Sequence, residues 1–368
     1  MKTAVVYDWI DKSGGVERVL PVFAEMFPDA DFYTSYYNPD TTPWAKHLKI
    51  KTSFIQKFPP GARASRIISL PFYKYAFESF DFTGYDLVIS VTSSFAKGVL
   101  TKPETKHVCY LLTPTRYVWG QTADYVNPWL RFLVQPTITK LRKWDFIAAQ
   151  RPNKLIAISE LVARRAATYY RRDAPVIYPP FDLSRWDTLR TDNADRDLPI
   201  HDVGYYLFVG RLEPYKRIDL LINVFNKLHY PLIIVGSGSQ EFLLKRQAHE
   251  NIVFISNISD QKLVEYYEKA RALIMPQEEE FGYTAIEAQY VGTPVISYRQ
   301  SGVAETIIEG KTGIFFENQT PADLYNAIAR FEKIEYNIKS LSRKSGLEQV
   351  KRFEKQKFIK AFHNAIDT

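Results

Sequence analysis

The chain has 368 residues, of which 46% are hydrophobic and 24% charged, a composition that excludes a disordered or fibrous protein. This length exceeds what one hydrophobic core usually organises, so we expect two domains of roughly 150 to 200 residues each. The net charge of +7 suits a nucleic acid, an anionic membrane or a small anionic ligand. No helix-turn-helix, zinc or RNA-recognition pattern accompanies it, so nucleic-acid binding is not expected.

The single cysteine, Cys109, stands in an apolar run that is predicted to be a buried strand. One cysteine cannot form a disulfide within the chain, which fits a reducing compartment. The apolar start is too short for a signal peptide, and no later run approaches about 18 uncharged apolar residues. We expect a cytoplasmic protein that is soluble or peripheral at the inner face of the cytoplasmic membrane.

Strand-length apolar runs alternate with helical patterns in two successive series, which is typical of parallel βαβ units. In the first series a helix is predicted over residues 15–26. The strands of this series are predicted at 3–7, 86–91, 106–112, 154–158 and 176–178. Ligands of such sheets bind beyond the carboxyl ends of the strands, so the residues that follow each strand are the candidates for a site.

A glycine-rich turn, residues 13–18, follows the first strand and precedes the first helix. Gly14 and Gly15 would let backbone amides approach a phosphate with no side chain in the way, and the helix N-terminus would add partial positive charge. The same pair is compatible with an ordinary tight turn between a strand and a helix. The turn alone does not decide between a phosphate site and a structural role.

From residue 41 to residue 77 the chain has no acidic residue, while bases and aromatic rings are interleaved. The lysines and arginines of this segment are Lys46, Lys49, Lys51, Lys57, Arg63, Arg66 and Lys74. Such a mixture suits an anionic lipid surface. The alternative is a basic face that is merely solvated. We expect this segment to dock on an anionic membrane.

The polar, aperiodic residues 187–197 are predicted to connect two domains, with a cleft opening there. The second series of strands is predicted at 205–209, 231–235, 252–255, 272–275, 294–297 and 313–316, and an amphipathic stretch over 347–366 closes the chain. The domain prediction is a first domain over 1–182, a linker over 183–202, a second domain over 203–346 and a C-terminal helix over 347–368. That helix is a candidate to return to the first domain.

Two basic residues, Arg211 and Lys216, follow the first strand of the second series. A guanidinium and an ammonium at this edge could hold a diphosphate, the arginine through two parallel hydrogen bonds and the lysine as a point charge. Basic residues on loops are more often solvated charges with no ligand. Their position at the carboxyl end of a strand favours the diphosphate.

Two glutamates, Glu279 and Glu287, flank a predicted turn between a buried strand and a helix. Glu279 would lie in the loop and Glu287 in the first turns of the helix, so both could face one ligand. Carboxylates accept hydrogen bonds from adjacent hydroxyls, as sugars and ribose offer them. Acids near a helix start also complement the helix dipole, which accounts for Glu287 but not for Glu279.

These motifs together resemble glycosyltransferase family 4, a group of retaining enzymes with the GT-B fold. The matching segments are 14–18, 210–216 and 279–287, the last of which looks like the E-x7-E signature of that family. Their order spans nearly the whole chain. Residues 8–9, 113–119 and 176–182 are similar to O-antigen and lipopolysaccharide mannosyltransferases in particular. The resemblance implies an α/β fold with two Rossmann-like domains whose parallel sheets face a central cleft, the first domain binding the acceptor and the second the nucleotide sugar.

The resemblance also implies roles for individual residues. Arg211, Lys216 and Glu279 would be catalytic, the first two on the diphosphate and Glu279 on the transferred sugar. The donor would be held by Gly14, Gly15, Arg211, Lys216, Glu279, Phe281, Gly282, Tyr283, Thr284 and Glu287, with Glu287 on the ribose. Asp8, Leu112 and Arg116 would face the acceptor or the sugar. No covalent nucleophile, cofactor or metal ion is expected.

The implied activity is hexosyl transfer to a lipid-linked or glycan acceptor in surface polysaccharide biosynthesis. GDP-mannose is the first donor to consider, and UDP sugars come next. The alternative is a catalytically silent relative that binds a nucleotide sugar or glycan within an assembly complex. Leu112 stands where many relatives carry histidine, so either Arg116 supplies the missing contact or the sugar lacks a hydroxyl there. Residues 254–257 lack a glycine that many relatives have, which leaves base recognition open.

Overall fold

The computed structural model describes residues 1–12, 14–15, 18–119, 131–189 and 204–367. These residues form two compact units. The first comprises Met1–Pro180 together with Phe358–Thr368, and the second comprises Phe181–Lys357. Within the described ranges, every helix is too short or too polar to cross a membrane.

The first unit is built on a six-stranded parallel sheet with the strand order β3-β2-β1-β4-β5-β6. The strands are β1 (Thr3–Tyr7), β2 (Asp31–Thr34), β3 (Lys49–Thr52), β4 (Leu87–Thr92), β5 (Lys106–Leu111) and β6 (Lys154–Ala157). The helices are α1 (Val19–Met26), α2 (Pro60–Ala64), α3 (Arg66–Glu78), α4 (Arg116–Trp119), α5 (Arg131–Ala148) and α6 (Glu160–Tyr170).

The second unit has a six-stranded parallel sheet with the order β12-β11-β10-β7-β8-β9. The strands are β7 (Tyr205–Val209), β8 (Leu232–Val235), β9 (Ile252–Ile255), β10 (Ala270–Met275), β11 (Val295–Tyr298) and β12 (Gly313–Phe316). The helices are α7 (Leu183–Leu189), α8 (Ile218–Leu228), α9 (Glu241–Gln247), α10 (Asp260–Lys269), α11 (Tyr283–Tyr290) and α12 (Pro321–Val350), and a further helix, α13 (Lys355–Asp367), ends the chain.

The central strands β1, β4 and β5 are buried over nearly their whole length. Burial on both faces is the reason that these strands read as continuous apolar runs rather than as alternating ones. In the second unit the apolar stripe of α8 packs on the sheet, with Ile218, Leu221 and Phe225 at most 2% exposed. The spacing of three and four between these residues places them on one helical face.

The last helix supplies aromatic rings to the core of the first unit. The rings of Phe358 and Phe362 lie 5.7 and 4.8 Å from that of Phe23 on α1. They also lie 5.6 and 5.8 Å from the ring of Tyr110 on β5. Edge-to-face contacts of this kind add to the free energy that burial alone provides. Residues from opposite ends of the sequence therefore complete one hydrophobic core.

Four elements of the first unit differ from the sequence prediction. The first helix begins at Val19 rather than at residue 15. Strands β2 and β3 were not predicted, because β2 has four residues and β3 alternates lysines with less exposed residues at the sheet edge. The strand predicted at 176–178 is only an isolated bridge between Val176 and Ala157.

The amphipathic stretch predicted over 347–366 is not one helix. Helix α12 ends at Val350, a 3₁₀ turn spans Lys351–Phe353, and α13 begins at Lys355. The N–H of Phe181 donates to the carbonyl of Phe353 at 2.6 Å, and the N–H of Lys355 donates to the carbonyl of Phe181 at 3.0 Å. This pairing to another segment satisfies backbone groups that a continuous helix would have used internally.

The predicted linker, 183–202, contains regular structure at its start. Helix α7 spans Leu183–Leu189, and its buried Trp186 stacks on Phe181 at 5.5 Å. Arg185 forms an ion pair with Asp260 at 2.5 Å. Residues 190–202 lie outside the described residues.

A buried histidine on β5 predicts how stability depends on pH. His107 is completely buried, with its Nε2 2.9 Å from the Ser90 hydroxyl. Burial, assisted by Arg172 and Arg151, lowers the pKa of His107 from 6.5 to about 3. At pH values between these two pKa values, His107 binds a proton in the unfolded chain but stays neutral in the folded chain. The free energy of unfolding therefore falls as the pH falls.

Lowering the pH from 6.5 to 5 should therefore reduce the free energy of unfolding by about 2 kcal/mol through His107. His107→Gln, which stays neutral, should show a flatter dependence over the same interval. Urea unfolding at both pH values measures the two slopes. Identical slopes for wild type and variant would contradict the role given to His107.

Candidate functional site

The loops that follow β7, β8, β10 and β11 meet at the carboxyl edge of the second sheet. In a parallel sheet this edge gathers residues that are far apart in sequence. The N–H of Leu212, in the β7 loop, donates to the carbonyl of Ser237, in the β8 loop, at 2.9 Å. The two loops are therefore fixed to each other through their backbones.

This backbone contact requires glycine at two positions of the β8 loop. A Cβ at Gly236 would lie 1.9 Å from the carbonyl oxygen of Gly210, and one at Gly238 would lie 2.5 Å from that of Leu212. Gly236 also has a φ of +149°, a conformation that other residues rarely adopt. The glycines thus bring the β7 loop close to its neighbour and hold it in place.

The basic residues predicted to hold a diphosphate lie in this β7 loop. Arg211 is exposed, and its Nη2 donates to the Tyr215 hydroxyl at 2.7 Å. Lys216 is only 9% exposed and lies in the 3₁₀ turn that precedes α8. Glu213 fixes the turn by accepting a hydrogen bond from the Ser239 hydroxyl at 2.6 Å. Lys216 is thus not the solvated loop charge that the sequence also allowed.

The structure brings Lys216 and Glu279 into direct contact. Lys216 Nζ donates to Glu279 Oε1, and Gln277 Nε2 donates to the same oxygen at 3.0 Å. Only 11% of the lysine side chain and 17% of the glutamate side chain are exposed. Two donors on one oxygen fix the orientation of the carboxylate.

The backbone of Glu279 is held by the loop that follows β11. Its N–H donates to the Ser301 hydroxyl at 3.0 Å, and its carbonyl accepts from the N–H of Gly302 at 2.7 Å. A Cβ at Gly302 would lie 2.0 Å from the carbonyl oxygen of Glu280. Glycine is therefore required for this close approach, and Glu279 is fixed from both sides.

The segment 281–284 corrects part of the predicted donor site. The Phe281 side chain is 4% exposed and packs on Phe353 at 5.3 Å, so it anchors the loop instead of facing a donor. The Thr284 hydroxyl points to the sulfur of Met275 at 3.6 Å. Gly282 has a φ of +88° and caps α11, where a Cβ would meet Val303 at 2.5 Å. Gly282, Tyr283 and Thr284 thus contribute backbone at the start of α11.

Glu287 lies in the second turn of α11 and is 1% exposed. Its carboxylate accepts a hydrogen bond from the hydroxyl of Tyr267, on α10, at 2.8 Å. This contact fixes the carboxylate between two helices. The predicted contact of Glu287 with a ribose remains a prediction.

In the first unit, Asp8 does not have the predicted role. Asp8 is completely buried, and its carboxylate accepts hydrogen bonds from the N–H groups of Ser93, Phe95 and Ala96 at 2.7 to 2.8 Å. The Thr92 hydroxyl donates to it as well, at 3.0 Å. The carboxylate is thus used to hold the loop after β4, and it does not face an acceptor.

Beneath the segment predicted to face the acceptor lies a buried ion pair. Lys97 and Asp145 are joined at 2.6 Å, with 0% and 3% of their side chains exposed. Asp145 also accepts hydrogen bonds from Thr115 at 2.7 Å, Trp119 at 2.6 Å and Tyr170 at 2.7 Å. This network anchors both ends of the segment 115–119.

The remaining predicted residues of the first unit are Leu112, Arg116, Gly14 and Gly15. Leu112 is 5% exposed and directly follows β5, and Arg116 is partly exposed at the start of α4. Gly14 and Gly15 are exposed, but they precede α1 by several residues instead of beginning it. Residues 13, 16 and 17 of this turn lie outside the described residues. The predicted phosphate contact of the two glycines remains a prediction.

The basic segment contains both exposed and paired residues. Lys46, Lys49 and Lys57 are exposed. Lys51 forms an ion pair with Asp31 at 3.0 Å, and Lys74 lies 4.3 Å from the ring of Tyr75. Arg63 and Arg66 turn toward the protein, as described below. The exposed apolar residues of the segment are Phe54, Ile68, Phe72 and Tyr75, which are 39 to 56% exposed.

Sequence reasoning did not single out Gln277, Ser301 or Lys97. Gln277 and Ser301 follow the buried strands β10 and β11 by two or three residues, which is the position where site residues were expected. Lys97 is the one charge in the apolar run 95–100. A lone charge in such a run indicates a buried ion pair, because an unpaired charge is costly to bury.

Residues 191–348, less than half of the chain, match the family model described as Glycosyl transferases group 1. An uncharacterized glycosyltransferase of Methanocaldococcus jannaschii is 24% identical over 220 residues, which is 58% of each chain. A D-inositol 3-phosphate glycosyltransferase of Catenulispora acidiphila is 29% identical over 202 residues, which is 48% of this chain and 47% of the relative. The chain thus spans about half the length of these curated relatives. The matches support the family predicted from the sequence.

Solved structures resemble the whole chain. The sucrose-phosphate synthase of Thermosynechococcus elongatus has a TM-score of 0.74 at 18% identity, covering 99% of this chain and 98% of that one. The Anabaena protein HepE in complex with UDP has a TM-score of 0.70 at 16% identity over the full length of both chains. WaaG, a glycosyltransferase involved in lipopolysaccharide biosynthesis, has a TM-score of 0.67 at 15% identity, covering 94% and 95%. The predicted GT-B fold is thereby confirmed.

Removing one partner of the buried Lys97–Asp145 pair should strongly destabilise the first unit. Asp145→Asn keeps an acceptor for Trp119 and Tyr170 but leaves Lys97 as an uncompensated buried charge. The free energy of unfolding should fall by about 3 to 5 kcal/mol. The double variant Lys97→Met/Asp145→Asn removes that charge and should recover most of the loss. Urea unfolding measures all three proteins, and a double variant no more stable than Asp145→Asn would contradict this account.

Proposed function

We propose that the chain is a retaining hexosyltransferase that uses a nucleotide diphosphate sugar as donor. The observation that carries this proposal is the contact between Lys216 and Glu279 beside Arg211, at the carboxyl edge of the second sheet. A fixed ammonium suits a phosphate, and the neighbouring carboxylate suits sugar hydroxyls. A nucleotide sugar presents both groups side by side.

In this proposal different residues of the site bind different parts of the donor. Arg211 and Lys216 hold the diphosphate, Glu279 orients the transferred sugar, and Glu287 contacts the ribose. The ammonium of Lys216 has three N–H donors, so it can keep Glu279 and still reach a phosphate oxygen.

Catalysis then consists mainly of stabilising the charge that develops on the departing diphosphate. Fixed cations in a site that is closed to water are effective in this role. The acceptor hydroxyl attacks the face from which the diphosphate leaves, so the anomeric configuration is retained without a covalent nucleophile. We propose that no metal ion takes part, which turnover in the presence of a chelator tests directly.

For the donor sugar we propose GDP-mannose first and UDP-glucose second. Mannose follows from the sequence resemblance. The UDP sugar is suggested by HepE, whose structure was also determined with UDP-glucose. For the acceptor we propose a lipid-linked or glycan hydroxyl in surface polysaccharide biosynthesis, which is suggested by WaaG, a glycosyltransferase involved in lipopolysaccharide biosynthesis. A panel of GDP, UDP and ADP sugars, read by thermal shift and by turnover, distinguishes the donors.

We also propose that the chain works at the inner face of the cytoplasmic membrane. The exposed Lys46, Lys49 and Lys57 would meet anionic headgroups. The exposed rings of Phe54 and Phe72 would enter the boundary between headgroups and acyl chains. A lipid-linked acceptor would then be delivered from the same surface.

The diphosphate contacts are tested by substituting their cations. Arg211→Ala should lower kcat/KM by about 30- to 1,000-fold, which corresponds to about 2 to 4 kcal/mol of transition-state stabilisation, and should leave the fold intact. Lys216→Met/Glu279→Gln replaces the ion pair by neutral groups of similar size and should lose at least as much. Lys227→Ala, an exposed cation on α8, is the control and should behave as wild type. Wild-type rates for both site variants with every accepted donor would refute the proposal.

Membrane docking is tested by vesicle sedimentation at low and high salt. Each basic residue near an anionic surface contributes about 1 kcal/mol, and salt screens this attraction. Lys46→Gln/Lys57→Gln should therefore weaken binding to anionic vesicles about 30-fold. The control Lys102→Gln/Arg164→Gln removes two exposed cations elsewhere in the first unit and should have a smaller effect. Equal sedimentation with neutral and anionic vesicles would exclude the docking surface.

A further inference from the structure

Several buried hydrogen-bond donors of the first unit have no partner among the described residues. Among the described residues up to 77, the buried side-chain atoms that lack a partner are Trp9 Nε1, Trp44 Nε1, Arg63 Nε, Arg66 Nη1 and Tyr73 OH. Each of these groups can donate, and only the tyrosine hydroxyl can also accept. Folded proteins rarely leave such groups unpaired, so a set of this kind indicates a ligand or ordered water.

Two of these side chains, Arg66 and Tyr73, contact the indole of Trp9, which follows β1. The guanidinium of Arg66 lies 4.2 Å from the Trp9 ring centroid. The ring of Tyr73, on the next turns of α3, meets the same indole edge-on at 5.4 Å. Tyr73 is completely buried. Its hydroxyl is therefore an unpartnered polar group that bulk water does not reach.

One carboxylate faces this cluster. Arg66 Nη2 donates to both oxygens of Asp11 at 2.8 Å, while Nη1 of the same guanidinium has no partner. Asp11 thus fixes the arginine without using all of its donors. A guanidinium held by one edge and open at another can still bind an anion.

Arg63 lies on the neighbouring helix α2. Its Nη1 donates to the carbonyl of Gln56 at 3.2 Å, its guanidinium lies 5.4 Å from the ring of Tyr36, and its Nε has no partner. The N–H of Ile10 donates to the carbonyl of Tyr36 at 3.0 Å, which joins the loops after β1 and β2. Arg63 and Arg66 therefore pack on residues of two connected loops. Their two positive charges exceed the one negative charge of Asp11.

We infer that Trp9, Arg63, Arg66 and Tyr73 form a binding site for a phosphoryl group. The ligand must accept hydrogen bonds and carry negative charge, because the open groups donate and positive charge is in excess. Four donors from separate side chains suit the three oxygens of a terminal phosphate better than the two of a carboxylate. The site lies at the carboxyl ends of β1 and β2, where ligands of a parallel sheet bind.

Together with the proposed function, this site assigns a phosphorylated acceptor to the enzyme. The role of the ligand as an acceptor rests on the proposed function, whereas the phosphoryl-binding site itself does not. Arg63 and Arg66, which were predicted from the sequence to face lipid, would then bind the phosphoryl group instead. A soluble sugar phosphate and a lipid-linked phosphate share this chemistry.

Tyr73→Phe separates a ligand site from a structural role. Removing an unpaired buried hydroxyl should leave the thermal midpoint unchanged or raise it, since no hydrogen bond within the protein is lost. The same substitution should weaken the binding of phenyl phosphate several-fold, as measured by calorimetry. A lower midpoint with unchanged phosphate affinity would overturn the inference.

Arg63→Gln/Arg66→Gln should weaken phenyl phosphate at least tenfold, whereas the control Lys102→Gln/Arg164→Gln should not. Binding should persist in Arg211→Ala, which places it outside the proposed donor site. Tighter binding of phenyl phosphate than of a water-soluble prenyl phosphate supports a soluble acceptor, and the reverse supports a lipid-linked one. Failure of both probes to bind, or equal affinity in wild type and Arg63→Gln/Arg66→Gln, overturns the site. Because no sugar is transferred in these titrations, that failure would leave the proposed transferase activity to its own test.

Discussion

The contact between Lys216 and Glu279 depends on the order of strands in the second sheet. Their loops follow β7 and β10, which are neighbours in the sheet although two strands and three helices separate them in sequence. Close approach also requires glycine at positions 236, 238 and 302, where any side chain would collide with a backbone carbonyl. The ion pair is thus the product of sheet topology and of three positions without a side chain. Neither component alone would place an ammonium beside a carboxylate at this edge.

The two units use their carboxyl edges differently. In the second unit the polar groups of the site belong to loops, and the paired charges keep some exposure. In the first unit Asp8 and the Lys97–Asp145 pair lie below the surface and are used to hold loops. Buried charges of this kind confer little net stability but penalise any arrangement that separates them. The segment 115–119 is therefore held in one conformation before any ligand arrives.

Much of this architecture could be predicted from the sequence because buried parallel strands are apolar throughout. The predicted bounds of β7, β9 and β12 are those of the structure. The edge strand β3 escaped prediction, since its lysines are solvated and break the apolar pattern. Lys216 and Glu279 were assigned to one site through their positions after strands. The roles of Phe281 and Asp8 were assigned wrongly, because burial and hydrogen-bond saturation are not visible in a motif.

The structure shows how the segment 254–257 turns without the glycine that many relatives carry. The segment 254–257 lacks the glycine that many relatives carry, yet Asn257 adopts a φ of +57°. Asparagine tolerates this left-handed conformation better than most residues. The chain therefore reverses direction after β9 without glycine, and it adds an exposed amide side chain at the edge of the sheet.

Completion of the first hydrophobic core by Phe358 and Phe362 has a consequence for synthesis on the ribosome. Domains generally fold as units, with the N-terminal one first. Here the first unit lacks two of its aromatic rings until residues 358–362 have been translated, whereas the second unit is complete at Lys357. Phe23 and Tyr110 therefore stay incompletely covered until after the second unit has been synthesised. In this protein the domain that is made first is the one that is finished last.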